Sequence, residues 1–281
     1  MADLDQPQII RVNHVDLAYI SRGWGESIVL VHGSLDDYRS WRQQIPALSG
    51  FGQVIAYSRR YHWPNTPPGP GDRYMIRQHA ADLAALIEAL DLEPAHLIGS
   101  SYGALTALTC AVERPELARS LVLGEPPLLP WLSRTDEGSA IVEAFEENAF
   151  RPAGAAFASG DLDEGVRRFI NGVIGPGVYD RIPADGRALM RDNAPEMRLE
   201  TASSPEDYFP DLSSDDVGRL AVPVLLIEGS DSPRMFGAIT NELASALPRA
   251  ERVTISGASH GIHEEEPGAY NAIVGDFLRR H

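Results

Sequence analysis

Gly99-Ser100-Ser101-Tyr102-Gly103 is a G-x-S-x-G motif that stands between an apolar strand-like segment, residues 95–98, and an apolar helical pattern, residues 104–108. Glycines two residues before and two residues after the serine allow a strand and a helix to approach closely. The sharp turn between them exposes the serine hydroxyl at its tip. The motif therefore predicts a nucleophile elbow centred on Ser101, with Ser100 as the alternative nucleophile.

Short apolar strands alternate with amphipathic helices along the chain, which is the pattern of a mostly parallel sheet with helices on both faces. Eight strands are predicted, at residues 9–12, 15–20, 27–31, 54–57, 95–98, 121–123, 224–227 and 252–255. Helix-like stretches replace the strands after the sixth one. We expect an α/β core formed by residues 1–125 and 220–281, and a helical cap formed by residues 126–219.

The composition excludes several classes of function. The chain has 281 residues, of which 43% are hydrophobic, and a formal net charge of -16. Such an acidic protein lacks the basic surface that nucleic acids and anionic membranes require. Its single cysteine, Cys110, permits no internal disulfide. Residues 1–5 lack the apolar run of a signal peptide, and no apolar stretch reaches transmembrane length, so we expect a cytoplasmic protein.

Polar side chains follow the ends of several predicted strands, where ligands bind in open α/β sheets. A serine needs a base within hydrogen-bond reach to act as a nucleophile. We predict His260 as this base, with His263 as the other candidate imidazole. A carboxylate should orient the imidazole and stabilise its charged form. Glu125 and Asp231 are the two candidates for it.

These motifs resemble the α/β-hydrolase superfamily along nearly the whole chain, through His32-Gly33-Ser34, the elbow, the cap insertion and Gly257-Ala258-Ser259-His260. The superfamily commonly places its acid three residues after the glycine that ends the seventh strand. Here that glycine is Gly229, and Asp231 comes one residue too early. Some haloalkane dehalogenases, and lactone hydrolases similar to zearalenone hydrolase, instead carry a glutamate directly after the sixth strand. The resemblance thus favours Glu125.

The resemblance implies a serine hydrolase without cofactor or metal that cleaves a carboxylic ester or lactone. The backbone amides of Ser34 and Tyr102 are the expected oxyanion donors. Dehalogenases and epoxide hydrolases of the superfamily carry aspartate where this chain has Ser101. Hydrolysis of a carbon–carbon bond in a diketone-like substrate, and a slow-turnover ligand-binding homologue, stay open as alternatives.

We expect a small apolar substrate, because aromatic residues are scattered through the cap. We expect neither a nucleic acid nor a membrane partner, and a homo-oligomer stays open. Many relatives carry a D-x-x-G turn where this chain has Arg59, Arg60 and His62, so the sequence leaves the role of these three residues open.

Overall fold

The computed structural model of the chain describes residues 6–247 and 249–281. Residues 1–5, which carried the expectation about a signal peptide, lie outside the described residues. Eight strands form one sheet in the order β1-β2-β4-β3-β5-β6-β7-β8. Their bounds are β1 Gln8–Val12, β2 Val15–Arg22, β3 Ser27–Val31, β4 Gln53–Tyr57, β5 Ala95–Ser100, β6 Ala118–Gly124, β7 Val224–Gly229 and β8 Glu251–Ile255.

The sheet is parallel from β4 through β3, β5, β6 and β7 to β8, and β2 runs antiparallel to both of its neighbours, β1 and β4. The central strands are continuous apolar runs because both of their faces are covered. Along β3, Ile28 and Leu30 belong to one core layer, whereas Val29 and Val31 belong to the other. The predicted mostly parallel, eight-stranded α/β fold is confirmed.

The helices lie on both faces of the sheet. On one face α1 and α14 pack, and on the other α2, α3 and α12 pack. The α-helices are α1 Gln44–Leu48, α2 Ile76–Ala89, α3 Tyr102–Glu113, α4 Asp136–Phe145, α5 Arg151–Ala158, α6 Leu162–Val173, α7 Val178–Arg181, α8 Ala184–Asp192, α9 Ala194–Glu200, α10 Pro205–Tyr208, α11 Ser214–Gly218, α12 Arg234–Ala246, α13 Ile262–Glu265 and α14 Pro267–Leu278. None of these helices combines the length and apolarity needed to cross a membrane.

The chain between β6 and β7 is helical, and we call residues 126–219 the cap segment. It contains α4 to α11, a 3-10 helix at Leu129–Arg134 and a π-helical turn at Glu146–Phe150. Its helix α9 contacts the loop after β3, because Glu200 accepts a hydrogen bond from Ser34. The cap segment thus packs at the carboxyl end of the parallel strands. The boundaries of the core and the cap, as domains, stay predictions.

Candidate active site

Ser101 lies at the turn between β5 and α3 in a conformation that is unusual for a residue with a side chain. Its φ is 53° and its ψ is -125°, a backbone strain that persists only where the surroundings impose it. A Cβ on Gly103 would lie 2.1 Å from Val31 O, and one on Gly99 would lie 2.5 Å from Ala104 Cα. Only glycine fits at these two positions, because strand and helix pack with no room for a side chain.

The structure brings Ser101, His260 and Glu125 together from three separate loops. His260 Nε2 lies 2.9 Å from Ser101 Oγ, and His260 Nδ1 lies 2.6 Å from Glu125 Oε2. Because an ionised carboxylate only accepts hydrogen bonds, this contact favours a proton on Nδ1 and leaves Nε2 to accept the serine proton. The three side chains form one hydrogen-bonded chain.

Glu125 reaches the imidazole from the turn directly after β6, where its φ is 47°. Its second oxygen, Oε1, accepts a hydrogen bond from Gly229 N at 2.9 Å. The residue is buried, and both carboxylate oxygens therefore have partners, as a buried charge requires. Asp231 is exposed, and its Oδ1 accepts from the neighbouring Ser230 Oγ. The structure thus places Glu125, and not Asp231, at His260, while its catalytic role stays a prediction.

The other two candidates, His263 and Ser100, lie elsewhere. His263 is buried with its ring centroid 4.2 Å from that of Trp41, and burial lowers the pKa of its imidazole to about 3. Ser100 is the last residue of β5 and pairs with Gly124 in the sheet. Within residues 6–247 and 249–281, Ser101 is the serine whose hydroxyl is hydrogen-bonded to His260.

Phe236 is a site residue that the sequence analysis missed. Its ring stacks on the imidazole of His260 with a centroid distance of 3.8 Å and an interplanar angle of 9°. The residue is buried in α12, the helix that follows β7. The sequence did not distinguish Phe236 from an ordinary core residue, because any aromatic residue on the apolar face of a helix has the same spacing. Phe236 limits the rotation of the His260 ring.

The two predicted oxyanion donors flank Ser101. Tyr102 begins α3, so its N–H has no acceptor within the helix, while its side-chain hydroxyl donates to Tyr208 O in the cap segment. Ser34 follows Gly33, and a Cβ on Gly33 would lie only 3.2 Å from Ser101 Cβ. Both amides are therefore close to the serine, and their role as oxyanion donors stays a prediction.

Two buried glutamates of α9 contact the loop after β3, and the sequence analysis did not identify them. Glu200 Oε1 accepts from Ser34 Oγ at 2.7 Å, and Glu196 Oε1 accepts from Leu35 N at 3.1 Å. Burial raises the pKa of both carboxyl groups, and the positive charge of Arg59 opposes this rise. A helical spacing of four residues places both side chains on one face of α9. The only trace of them in the sequence is a pair of glutamates four residues apart, Glu196 and Glu200.

Arg59, Arg60 and His62, which stand where many relatives have a D-x-x-G turn, make different contacts. Arg59 is buried and donates to two backbone carbonyls of the loop after β3. Arg60 forms a bidentate ion pair with Asp82, with both hydrogen bonds at 2.7 Å. His62 is buried, and burial followed by the charge of Arg59 holds the pKa of its imidazole well below the usual value. None of these three residues hydrogen-bonds to Ser101 or His260 within the described chain.

No cluster of three or more histidine, cysteine, aspartate or glutamate side chains in the described part of the chain has the arrangement of a metal site. The hydroxyl at the centre of the site belongs to Ser101, which is partly buried.

Comparisons with known proteins show the family and the fold to which the chain is similar. The chain is 27% identical over 316 residues to epoxide hydrolase A of Mycobacterium tuberculosis (strain ATCC 25618 / H37Rv), with 96% of each protein covered. Among solved structures, it is similar to Est816, described as an N-acyl homoserine lactone degrading enzyme, with 22% identity, a TM-score of 0.76 and coverage of 96% and 100%. It is also similar to the enol-lactonase from Burkholderia xenovorans LB400, with 23% identity, a TM-score of 0.75 and coverage of 97% and 100%. A family model described as the alpha/beta hydrolase fold matches residues 26–267, and the chain therefore belongs to the α/β-hydrolase family.

Proposed function

We propose that this protein is a serine hydrolase that cleaves a carboxylic ester or lactone through an acyl-enzyme intermediate. The observation that carries the proposal is the continuous hydrogen-bonded chain from Ser101 Oγ through His260 to Glu125, with distances of 2.9 and 2.6 Å. A serine within reach of an imidazole that is itself oriented by a carboxylate is the arrangement that activates a hydroxyl nucleophile.

Acylation follows from the proton positions in this chain. Ser101 Oγ attacks the carbonyl carbon of the substrate while His260 Nε2 takes the serine proton. The carboxylate of Glu125 stabilises the imidazolium that forms. When the carbon–oxygen bond of the ester breaks, His260 returns the proton to the leaving alkoxide. A lactone keeps its alcohol attached to the acyl group, because the bond that breaks lies in the ring.

The amides of Ser34 and Tyr102 bind the oxyanion of the tetrahedral intermediate in this proposal. A backbone donor at a helix N-terminus adds the positive end of the helix dipole, which favours negative charge there. Deacylation repeats the sequence with water. His260 removes a proton from water, the resulting hydroxide attacks the acyl carbon, and His260 then protonates Ser101 Oγ as the acid leaves.

The ester or lactone class is favoured by the elbow residue. Ser101 stands where the dehalogenases and epoxide hydrolases of the superfamily carry aspartate, so we do not propose epoxide hydrolysis for this chain. Est816 and the enol-lactonase support the lactone class by their descriptions. We propose a small apolar substrate for the same site and a cytoplasmic location for the protein.

The test is a substrate screen with Ser101→Ala as the blank. Short p-nitrophenyl esters and lactones of several ring sizes should be hydrolysed by the wild-type protein. The variant should lose more than about a hundredfold in kcat, since triad members act as a unit. A fluorophosphonate should add one adduct to the wild-type protein and none to the variant, as measured by intact mass.

Three results would contradict the proposal in different ways. Equal labelling of the Ser101→Ala variant would move the nucleophile to another residue, with Ser100 tested first. Cleavage of diketones in preference to all esters and lactones would assign carbon–carbon bond hydrolysis to the same three side chains. Binding of esters without turnover would indicate a ligand-binding homologue.

A further inference from the structure

Arg59 is a buried cation behind the loop after β3, and the mechanism proposed above does not use it. Its Nε donates to His32 O at 3.0 Å, and its Nη2 donates to Gly33 O at 2.9 Å. Its Nη1 donates to the hydroxyl of Tyr74 at 2.9 Å. One guanidinium thus holds two consecutive backbone carbonyls of the loop that passes beside Ser101.

The contact with Gly33 fixes the orientation of the peptide between Gly33 and Ser34. This peptide is trans, and the carbonyl and the N–H of a trans peptide point to opposite sides. Because Arg59 holds the carbonyl on its own side, the N–H of Ser34 points away from Arg59. Gly33 contacts the nucleophile directly, since a Cβ on it would lie 3.2 Å from Ser101 Cβ. His32 Nδ1 also lies 2.8 Å from Gly33 O. Arg59 and His32 together therefore fix the direction of an amide that lies next to Ser101.

The two residues after Gly33 are held by the cap segment. Glu200 accepts from the Ser34 hydroxyl at 2.7 Å, and Glu196 accepts from the Leu35 amide at 3.1 Å. Consecutive residues of one loop are thus each bound by a different buried ionisable side chain. Burying such groups costs free energy that a plain turn would not require.

The charge of Arg59 also affects the strength of the amide as a donor. A hydrogen bond from a cation to a carbonyl is stronger than a neutral one. It polarises the whole peptide group, and the N–H at the other end becomes a better donor because linked hydrogen bonds strengthen each other. An amide polarised in this way would stabilise an oxyanion more strongly than the same amide without its cation.

We propose that Arg59 is a positioning residue for the oxyanion-binding amide of Ser34, and that it acts through the peptide between Gly33 and Ser34. The inference rests on the proposed function, because it requires a tetrahedral oxyanion at Ser101. Arg59, one of the residues that stand in place of the D-x-x-G turn, would then support the oxyanion-binding loop.

The test compares Arg59→Lys with Arg60→Lys. A lysine at position 59 keeps the charge, but its single ammonium cannot reproduce the fork that holds both carbonyls. Arg60 is a matched control, because it is also buried and its bidentate partner is Asp82 rather than the loop. Loss of one oxyanion donor costs roughly 10²–10³ in kcat. We expect Arg59→Lys to lower kcat by about a hundredfold with KM within about threefold, and Arg60→Lys to change kcat less than about threefold.

A purely structural role would give a different pattern. The melting temperature of each variant shows whether its fold is kept. The acid-side inflection of kcat/KM against pH should be the same in Arg59→Lys and the wild type, because His260 and Glu125 keep their contacts. A displaced inflection, an equal loss of kcat in Arg60→Lys, a loss confined to KM, or an unchanged kcat in folded Arg59→Lys would each overturn the proposal.

A milder variant decides the question if Arg59→Lys does not fold. Tyr74→Phe removes the hydroxyl that accepts from Arg59 Nη1, so the guanidinium that holds the two loop carbonyls loses one of the partners that fix its position. The variant should lower kcat severalfold at unchanged KM, and an unchanged kcat would overturn the proposal. Fluorophosphonate labelling separates the two inferences. A wild-type protein that is neither labelled nor active contradicts the proposed function, whereas a labelled wild type with a fully active Arg59→Lys contradicts only the role of Arg59.

Discussion

Glu125 shows how a buried carboxyl group can have a partner for each of its two oxygens. Its carboxylate accepts from the backbone of Gly229 on one oxygen and faces His260 Nδ1 on the other. Hydrogen bonds to a charged acceptor are roughly twice as strong as neutral ones, which offsets the loss of hydration. An exposed carboxylate such as that of Asp231 keeps its hydration and holds no ring in place. The burial of Glu125 beside an imidazole is therefore consistent with the role of triad acid that we propose for it.

Substitution tests whether Glu125 is the acid that orients His260. Glu125→Gln should lower kcat by about 10³–10⁴, because a neutral amide neither fixes the tautomer of His260 nor stabilises its imidazolium. Asp231→Asn is the matched control, since it makes the same change one strand away on an exposed side chain. We expect it to lower kcat by less than about tenfold. Steady-state kinetics on the best ester from the screen measure both variants, and the reverse ranking would assign the acid to Asp231.

At the scale of elements, the N-terminus of α9 joins the cap segment to the core. Asn193 is buried just before this helix and accepts from Trp63 N at 2.8 Å. It also donates from Nδ2 to Asp37 Oδ2 at 2.8 Å. These contacts join the cap to loops after β3 and β4. The position of α9, and with it the positions of Glu196 and Glu200, therefore depends on one buried amide.

We predict that Asn193→Ala lowers the free energy of unfolding by about 1–3 kcal/mol, because it leaves the partly buried Trp63 N–H without its acceptor and the buried Asp37 Oδ2 without one of its donors. Asn148→Ala is the matched control. Asn148 also lies in the cap segment, but it is exposed and its Nδ2 donates only to Ala144 O within its own helical turn. Its replacement should stay within about 0.5 kcal/mol. Urea unfolding at constant m-value measures both variants, and equal losses would contradict a role for Asn193 in docking α9.

The elements differ in how far the sequence predicted them. Strands with continuous apolar runs, such as β7, were predicted nearly at their observed bounds. The sixth strand was predicted at residues 121–123, but β6 is Ala118–Gly124. Its first half is small and polar and becomes a strand through pairing with β5, where the register shifts. The pattern of apolar residues in a segment predicts whether that segment is buried. The pairing that extends β6 depends on β5, which is distant in the chain.

The same limit applies to the site. Ser101, His260 and Glu125 could be named because each follows a strand, and the fold gathers strand ends at one edge. Phe236 and Glu200 could not be named, because each lies inside a helix whose rotation and position depend on packing. Their contacts with His260 and Ser34 follow from the assembled core.

At the scale of the whole molecule, buried histidines link folding to pH. Burial, followed by the charge of Arg59, holds the pKa of His32, His62 and His79 well below the usual value, and burial lowers the pKa of His263 to about 3. An unfolded histidine has a pKa of about 6.5. Below that pH these histidines bind protons in the unfolded chain but not in the folded chain. The histidines by themselves make stability fall as the pH falls from about 6.5 toward 3. The buried carboxyl groups of Asp36, Glu196, Glu200 and Glu264 act in the opposite direction, because their raised pKa favours the folded state in acid.

The contribution of His263 to the pH dependence of stability can be measured separately. His263→Phe keeps a ring against Trp41 but cannot bind a proton, so its loss of stability between pH 7 and 5 should be smaller than that of the wild type. His263 is the suitable position because its Nε2 has no hydrogen-bond partner among the described residues, so the variant breaks no hydrogen bond at that atom. The exposed His14 provides the control, as His14→Asn removes an imidazole that lies outside the core, and asparagine tolerates the positive φ there. Urea unfolding at pH 7, 6 and 5 measures the free energy of each protein, and the His14 variant should keep the wild-type slope. If His263→Phe loses stability with the same slope as the wild type, the buried His263 is not a source of the acid sensitivity.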